Sequence, residues 1–441
     1  MSHQIKRRDF LKVAGVSTVA ASGLPAFFPA PAFAQNQDVN SKLQIACIGI
    51  SGRGAANVDG VSDEQIVALC DVDKNYLAQG KKRFPDAKTY QDFRKMFDEI
   101  ENDIDAIVVS TPDHTHAVAA MTGMKLGKHC YCEKPLAHNV KEIRQMMAIA
   151  REKKLVTQMG TQIHAEPNYR RVVELIRGDA IGAVKEVHVW CGSSWGGREI
   201  LTDTPPVPEN IDWDLWIGPA KMRPYHPQYF GGAWRCWWEF GNGTIGDMAC
   251  HHLDLSFWAL DLRFPKTIEA FCEEKPHPEM APKGLHVKYE FVALRNRRPA
   301  VTLHWYDGKL KPEIIKEQNL PNDWNAGTIF VGEKGLLMSD YGRHLLFPED
   351  KYKDYQPPKP SIPDSIGHHH EWVNACCDNK PNAPLCRFSY SGPLAETVLL
   401  GTVAFRTGKK LEWDSRNMEA TNCPEADQYL SREYRQGWEI G

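Results

Sequence analysis

The 441-residue chain has almost no net charge: 53 Lys and Arg stand against 56 Asp and Glu, a formal charge of -3. With no surplus of either sign there is no overall field to hold a polyanion, so nucleic acid is not an expected partner. Internal repeats and low-complexity segments are absent as well. Past the N-terminal region no stretch approaches roughly 18 uncharged apolar residues, so no stable membrane insertion is expected of a processed chain. Twelve cysteines are present, but their spacing forms no disulfide framework. They read as buried thiols packing as small hydrophobes. Cys130 and Cys132 share one strand face among apolar neighbours, and a metal pair would want a second pair nearby.

With 42% hydrophobic and 25% charged residues, the composition is that of a globular protein of two or three domains, not of a disordered, collagenous or coiled-coil chain. The N-terminus reads as an address. Lys6-Arg7-Arg8-Asp9-Phe10-Leu11-Lys12 precedes an uncharged stretch, and Ala32-Phe33-Ala34 has the small-residue form of a cleavage site. The paired arginines resemble the twin-arginine export signal. Residues 1–34 are therefore expected to be a signal peptide, and the remainder a periplasmic or otherwise exported protein.

Residues 41–160 alternate short apolar runs with amphipathic stretches, the pattern of β-α-β units in a doubly wound parallel sheet. The spacing predicts strands over 43–50, 66–72, 104–110, 129–132 and 155–159, with helices over 55–60, 74–83, 91–100, 116–126 and 140–153. From Thr161 the texture changes. A helix over 167–177, an aromatic Pro/Gly-rich stretch over 193–242, a helix over 244–260 and grouped β segments between 266 and 339 predict an α+β domain. It spans 161–415, with a largely antiparallel open sheet, followed by a tail over 416–441. Such a sheet could mediate homo-oligomer formation.

After the first strand, Gly49-Ile50-Ser51-Gly52-Arg53-Gly54 opens into a helix. Glycines allow the tight turn and the close approach of a pyrophosphate, whose charge is met at the helix N-terminus. Asp71 ends the second strand, where a carboxylate accepts hydrogen bonds from an adenosine ribose and repels a 2'-phosphate. Arg53 could instead answer a 2'-phosphate. NAD is the expected cofactor, ahead of NADP.

The fourth strand runs into Ser110-Thr111-Pro112-Asp113-His114-Thr115-His116, and the fifth ends in Glu133-Lys134-Pro135. The order of glycine turn, Asp71, T-P-x-x-x-H and E-K-P resembles the glucose-fructose oxidoreductase, inositol dehydrogenase and MocA (Gfo/Idh/MocA) family. Gly243 to Asp254, containing D-x-x-x-H, is similar to that family's second-domain signature, and Gly392 to Thr397 looks like exported members. The resemblance implies NAD(P) in the first domain, with Ser110, Thr111, Pro112, His116, Glu133 and Lys134 at the cofactor, and a sugar or cyclitol at the domain interface. It also admits members that hydrolyse glycosides through transient oxidation by bound NAD.

Hydride transfer from a carbinol needs a base for the hydroxyl proton and a cationic donor nearby. Lys134, at the carboxyl end of a parallel strand, is the cationic candidate. Asp247 and His251, four apart on one helix face, supply an orienting carboxylate and a base whose ordinary pKa of about 6.5 suits the task. A carboxylate and imidazole at that spacing could also hold a divalent metal, the route to an eliminase, hydratase or hydrolase. The run His368-His369-His370 is read as surface or capping. Gln162, His164, Tyr169, Trp195, Arg235, Trp237 and His252 are candidates for holding the substrate, the aromatics by stacking on sugar C–H faces.

Overall fold

A computed structural model describes residues 42–440 except Asn296. The proposed signal peptide lies outside the described residues. Six parallel strands form the first sheet: β1 (Gln44–Ile48), β2 (Gln65–Cys70), β3 (Lys88–Tyr90), β4 (Ala106–Val109), β5 (His129–Cys132) and β6 (Thr157–Met159), in the order β3-β2-β1-β4-β5-β6. The helices between them are α1 (Arg53–Gly60), α2 (Lys74–Arg83), α3 (Phe93–Ile100), α4 (Asp113–Lys125) and α5 (Val140–Glu152). Their starts are set by short polar side chains. Asp73, Asp92 and Asn139 each accept a hydrogen bond from a first-turn backbone N–H, satisfying a donor the helix cannot.

Strand β3 escapes the periodicity because Lys88-Thr89-Tyr90 has no buried residue and lies at the sheet edge. The central strand β4 is buried throughout and β1 in all but its first residue, as crossover helices on both faces require.

The second half begins with α6 (Pro167–Arg177), Pro167 occupying the first turn. Strand β7 (Val184–Cys191) and α7 (Trp213–Ile217) follow. A π-helical segment, Ile245–Ala249, then leads directly into α8 (Cys250–Leu260). Strands β8 (Thr267–Phe271), β9 (His286–Phe291), β10 (Val301–Tyr306), β11 (Ala326–Gly332), β12 (Leu336–Ser339), β13 (His344–Phe347), β14 (Leu411–Asp414) and β15 (Glu419–Ala420) join β7 in a nine-stranded sheet. Its order is β13-β12-β11-β7-β10-β9-β8-β14-β15, antiparallel except for β7 beside β10.

One apolar core runs through both halves. It takes in Met121 and Met124 of α4, Leu253 and Phe257 of α8, and Leu394 to Phe405 of the long helix Phe388–Thr407. The aromatic stretch before Asn242 is mostly irregular and packs its own cluster, with Trp213, Trp216, Tyr229, Trp237 and Phe240 at the centre. All twelve cysteines are free thiols, ten of them buried. Among the described residues, no helix is long and apolar enough to cross a membrane.

Candidate active site

The carboxyl ends of β1, β2, β4 and β5 open into a cleft of about 1040 Å³. Ligands bind at this edge in open α/β sheets. Gly49, Ser51, Gly52, Arg53, Asp71, Ser110, Thr111, Pro112, His116, Glu133 and Lys134 line one side. Gln162, Arg235, Asp247, Met248, His251 and Tyr341 of the second half line the other.

The glycine turn is built for close approach. Gly49 has φ +78°, and a Cβ there would meet the Ser110 backbone at 2.8 Å. Gly54 is not on the cleft wall. A Cβ at Gly54 would lie 2.1 Å from the Gly49 carbonyl, so this glycine lets α1 pack under the turn. Gly52, at φ +53°, faces open space. The backbone N–H groups of Gly52 and Arg53 donate to no acceptor among the described residues. A bare helix start beside an open glycine fits a pyrophosphate.

Asp71 accepts the backbone N–H groups of Ile50 and Asp73, both at 3.0 Å, which fixes its carboxylate on the cleft wall. Burial nevertheless pushes its pKa up to about 6, against the lowering effect of those two bonds. Tyr76, Phe93 and Trp438 line the same end and give it an aromatic wall suited to a flat base. These residues together fit a dinucleotide.

At the other end Lys134 crosses from β5 to meet the π-helical segment. Its Nζ donates to Oδ1 of Asp247 at 2.5 Å, and both side chains are only 9% exposed. Arg235 Nε lies 2.6 Å from the same oxygen. Its N–H is not aimed at that oxygen, so this contact is an ion pair and not an aligned hydrogen bond. Trp195 Nε1 donates to Oδ2 at 2.8 Å. Burial opposes the charged form of Asp247, but Lys134 and Arg235 outweigh it and hold the carboxyl well below the usual range.

His251 is half-buried on the cleft wall. Burial, and after it the neighbouring charge of Lys134, holds its imidazole well below its ordinary pKa, so it is neutral near pH 7. The Asp247 and His251 pair is not a free metal-ligand pair. Both Asp247 oxygens are engaged, Oδ1 by the cations Lys134 and Arg235 and Oδ2 by Trp195, so an ion there would have to displace Lys134 and Arg235.

Glu133 anchors the floor. Its Oε1 accepts from Asn57 Nδ2 at 2.9 Å and from Gln162 Nε2 at 2.8 Å. Asn57 in turn meets Ser110 Oγ and His369 Nε2. His116 donates from Nε2 to the Thr111 carbonyl at 2.7 Å, fixing the strand-to-helix turn.

Five expected substrate contacts, His164, Tyr169, Trp195, Trp237 and His252, are not on the cleft wall. His164 is 1% exposed, bonded to Asp254 Oδ2 at 2.8 Å and stacked on Trp258. Tyr169 is buried behind α8, its hydroxyl on the His251 carbonyl at 3.3 Å. His252 turns away from its neighbour His251, as adjacent helical residues do, and meets Tyr341 at 2.9 Å. Trp237 is in the aromatic cluster at 1% exposure. Trp195 nonetheless reaches the site through Asp247.

The triple histidine also differs from expectation. His368 is buried on the Met159 carbonyl and His369 stacks on Tyr131, so only His370 is a surface residue. Their helix, His368–Cys377, packs against the first sheet's core, which turns its first residues inward.

Among the cleft residues left unassigned from sequence, Asp113 and Trp438 stand out. Asp113, inside the T-P-x-x-x-H run, is 3% exposed. Its pKa is pushed up to about 7 by burial, against the pull of Lys134 and Arg235. Trp438 belongs to the expected tail, but it packs on Phe93 and under the Arg94 guanidinium.

Comparison with known proteins agrees with this architecture. Residues 11–161 match the oxidoreductase family with NAD-binding Rossmann fold (Gfo/Idh/MocA), and residues 183–291 match that family's C-terminal alpha/beta domain. The chain belongs to the Gfo/Idh/MocA oxidoreductase family. It is similar to a glycosyl hydrolase family 109 protein of Shewanella pealeana, 29% identical over 78% of this chain and 72% of the relative. It is also similar to a myo-inositol 2-dehydrogenase of Thermotoga maritima, 24% identical over 32% of this chain and 42% of the relative. Among solved structures, the WlbA dehydrogenase of Bordetella pertussis, in complex with NADH and UDP-GlcNAcA, shares the fold at TM-score 0.58 and 17% identity. That match covers 85% of this chain and 99% of the other.

Proposed function

We propose that this protein is an exported, homo-oligomeric NAD-dependent oxidoreductase acting on a secondary hydroxyl of a sugar, glycoside or cyclitol. The observation that carries the reading is convergence. Lys134 of the first sheet and His251 of the second half line one cleft, continuous with the glycine turn and Asp71. When bound, NAD supplies the hydride acceptor. Gly49, Gly52 and the start of α1 hold its pyrophosphate, and Asp71 the adenosine ribose. Neutral His251 takes the substrate's hydroxyl proton, while the Lys134 ammonium donates a hydrogen bond to the oxygen as negative charge builds there. Asp247 holds that ammonium in place, and Arg235 keeps Asp247 ionised. Relatives named as dehydrogenases of inositol and levoglucosan support the substrate class, and the twin-arginine motif supports export.

The second reading keeps the site and changes the net reaction. Relatives named glycosyl hydrolase family 109 align over 78% of the chain, which favours glycoside cleavage with NAD reduced and reoxidised in place. Mass spectrometry of ligands released from natively purified protein, followed by a sugar and glycoside panel read for reduced nicotinamide and for released aglycone, separates the two. Net reduced nicotinamide is the expected result of the first. Aglycone release without it would establish the second, and neither product with any substrate would overturn both.

A further inference from the structure

On the face of the nine-stranded sheet that carries Glu186, three histidines and that glutamate converge. Glu186 and His188 are two apart on β7 and so share a face, and His304 of β10 pairs directly across from His188. Glu186 Oε1 lies 3.1 Å from His188 Nε2 and 3.4 Å from His304 Nε2. These separations are close to the ~3.4 Å edge of a tetrahedron with bonds of ~2.1 Å. The two imidazoles stack with centroids 4.9 Å apart and planes 11° apart, both Nε2 atoms face Glu186 Oε1, and the three candidate ligand atoms lie within 4.8 Å of one another.

The far nitrogens are already engaged. His188 Nδ1 meets Tyr306 Oη at 3.3 Å, and His304 Nδ1 meets His286 Nε2 at 2.9 Å. Outer contacts of this kind fix the tautomer of a ligating imidazole and turn its lone pair toward a metal. Lys288, across from His304 on β9, is paired with Glu290 and leaves Glu186 to the histidines. His188 is nearly buried and Glu186 half exposed, so the cluster is walled by protein on one side and open on the other. None of these residues lines the cleft.

We propose that Glu186, His188 and His304 bind one divalent transition-metal ion of the zinc class, with solvent in the fourth position. Two imidazoles and a carboxylate are a known zinc donor set. The ion cross-links β7 to β10, the one parallel pair among the described strands of this sheet, and parallel pairing is the weaker kind. It lies apart from the cleft and so binds independently of the chemistry there.

The test uses the full, untagged chain, stripped with a chelator and titrated with zinc chloride by calorimetry, with cobalt absorption as a second readout. The wild type is expected to bind about one ion per chain, with a rise in Tm on addition. The His188→Ala, His304→Ala double variant is expected to lose both, and His286→Ala to bind roughly 10- to 100-fold more weakly. Should the double variant misfold, Glu186→Gln, at a half-exposed position, serves in its place and is expected to weaken zinc binding while retaining NAD binding. No saturable binding by the wild type would reduce the cluster to hydrogen bonds and overturn the proposal. Binding that the double variant, or Glu186→Gln, leaves unchanged would place the ion elsewhere and overturn it equally.

Discussion

Lys134 Nζ and Asp247 Oδ1 are 2.5 Å apart although their residues belong to different sheets' halves of the molecule. The pair joins the end of β5 to the π-helical segment, and the cleft's chemistry is organised around it. Asp247→Asn removes the anion that holds the ammonium and leaves Lys134 beside Arg235. Turnover should fall by about 10- to 1000-fold with NAD affinity little changed, read as kcat against nucleotide dissociation constant.

His251→Asn keeps a polar side chain on the cleft wall but removes the base. A loss of about 100- to 10,000-fold in kcat is expected. Retention of full activity on a confirmed substrate would assign the proton to another group.

Asp71 has its pKa pushed up to about 6 in the described cleft. Its ionised form offers two acceptors to ribose hydroxyls, and its protonated form loses part of that capacity. NAD affinity should therefore fall as pH drops through about 6. Calorimetry across that range should show Asp71→Asn binding weakly and without this pH dependence.

The folded chain keeps a proton on Asp113 up to about pH 7, where an unfolded carboxyl releases it near 3.8. Between those values the native state binds more protons than the unfolded one, so this residue's contribution makes stability decline as pH rises. Asp113→Asn should flatten the decline, measured as Tm against pH. A steeper decline in the variant would contradict the sign.

Gly54→Ala puts a methyl 2.1 Å from the Gly49 carbonyl. Backbone must move, at a cost of about 1–3 kcal/mol, and the glycine turn moves with it. Thermal unfolding should register the loss of stability, and nucleotide affinity should drop beyond what the same loss of stability causes at a core position such as Val398.

The parallel sheet was legible because buried strands and amphipathic helices alternate with the right periods: β5 and α2 have the bounds that periodicity predicts. Lys134, Asp247 and His251 were legible as a resemblance carried by short motifs, and the structure brings all three to one cleft. Four substrate candidates lie away from the cleft for a common physical reason. His164, Tyr169, Trp237 and His252 are residue types that serve ligands and cores alike, and only their partners tell which: Asp254 and Trp258 for His164, Tyr341 for His252. The helix over 244–260 was expected as one regular α-helix. Its first turn is instead π-helical, a widening that leaves the apolar pattern intact and so gives no signal in it. Asp113 was in view within its motif, but its burial beside Lys134 and Arg235 depends on how the halves pack.

Trp438 and the turn at Gly49 line the same cleft. The two are separated by almost the entire described sequence, and contacts of that span are among the slowest a chain assembles. Refolding should therefore recover helical content first and the capacity to quench or retain a dinucleotide last, so nucleotide capture reports completion of the whole molecule and not of its first half.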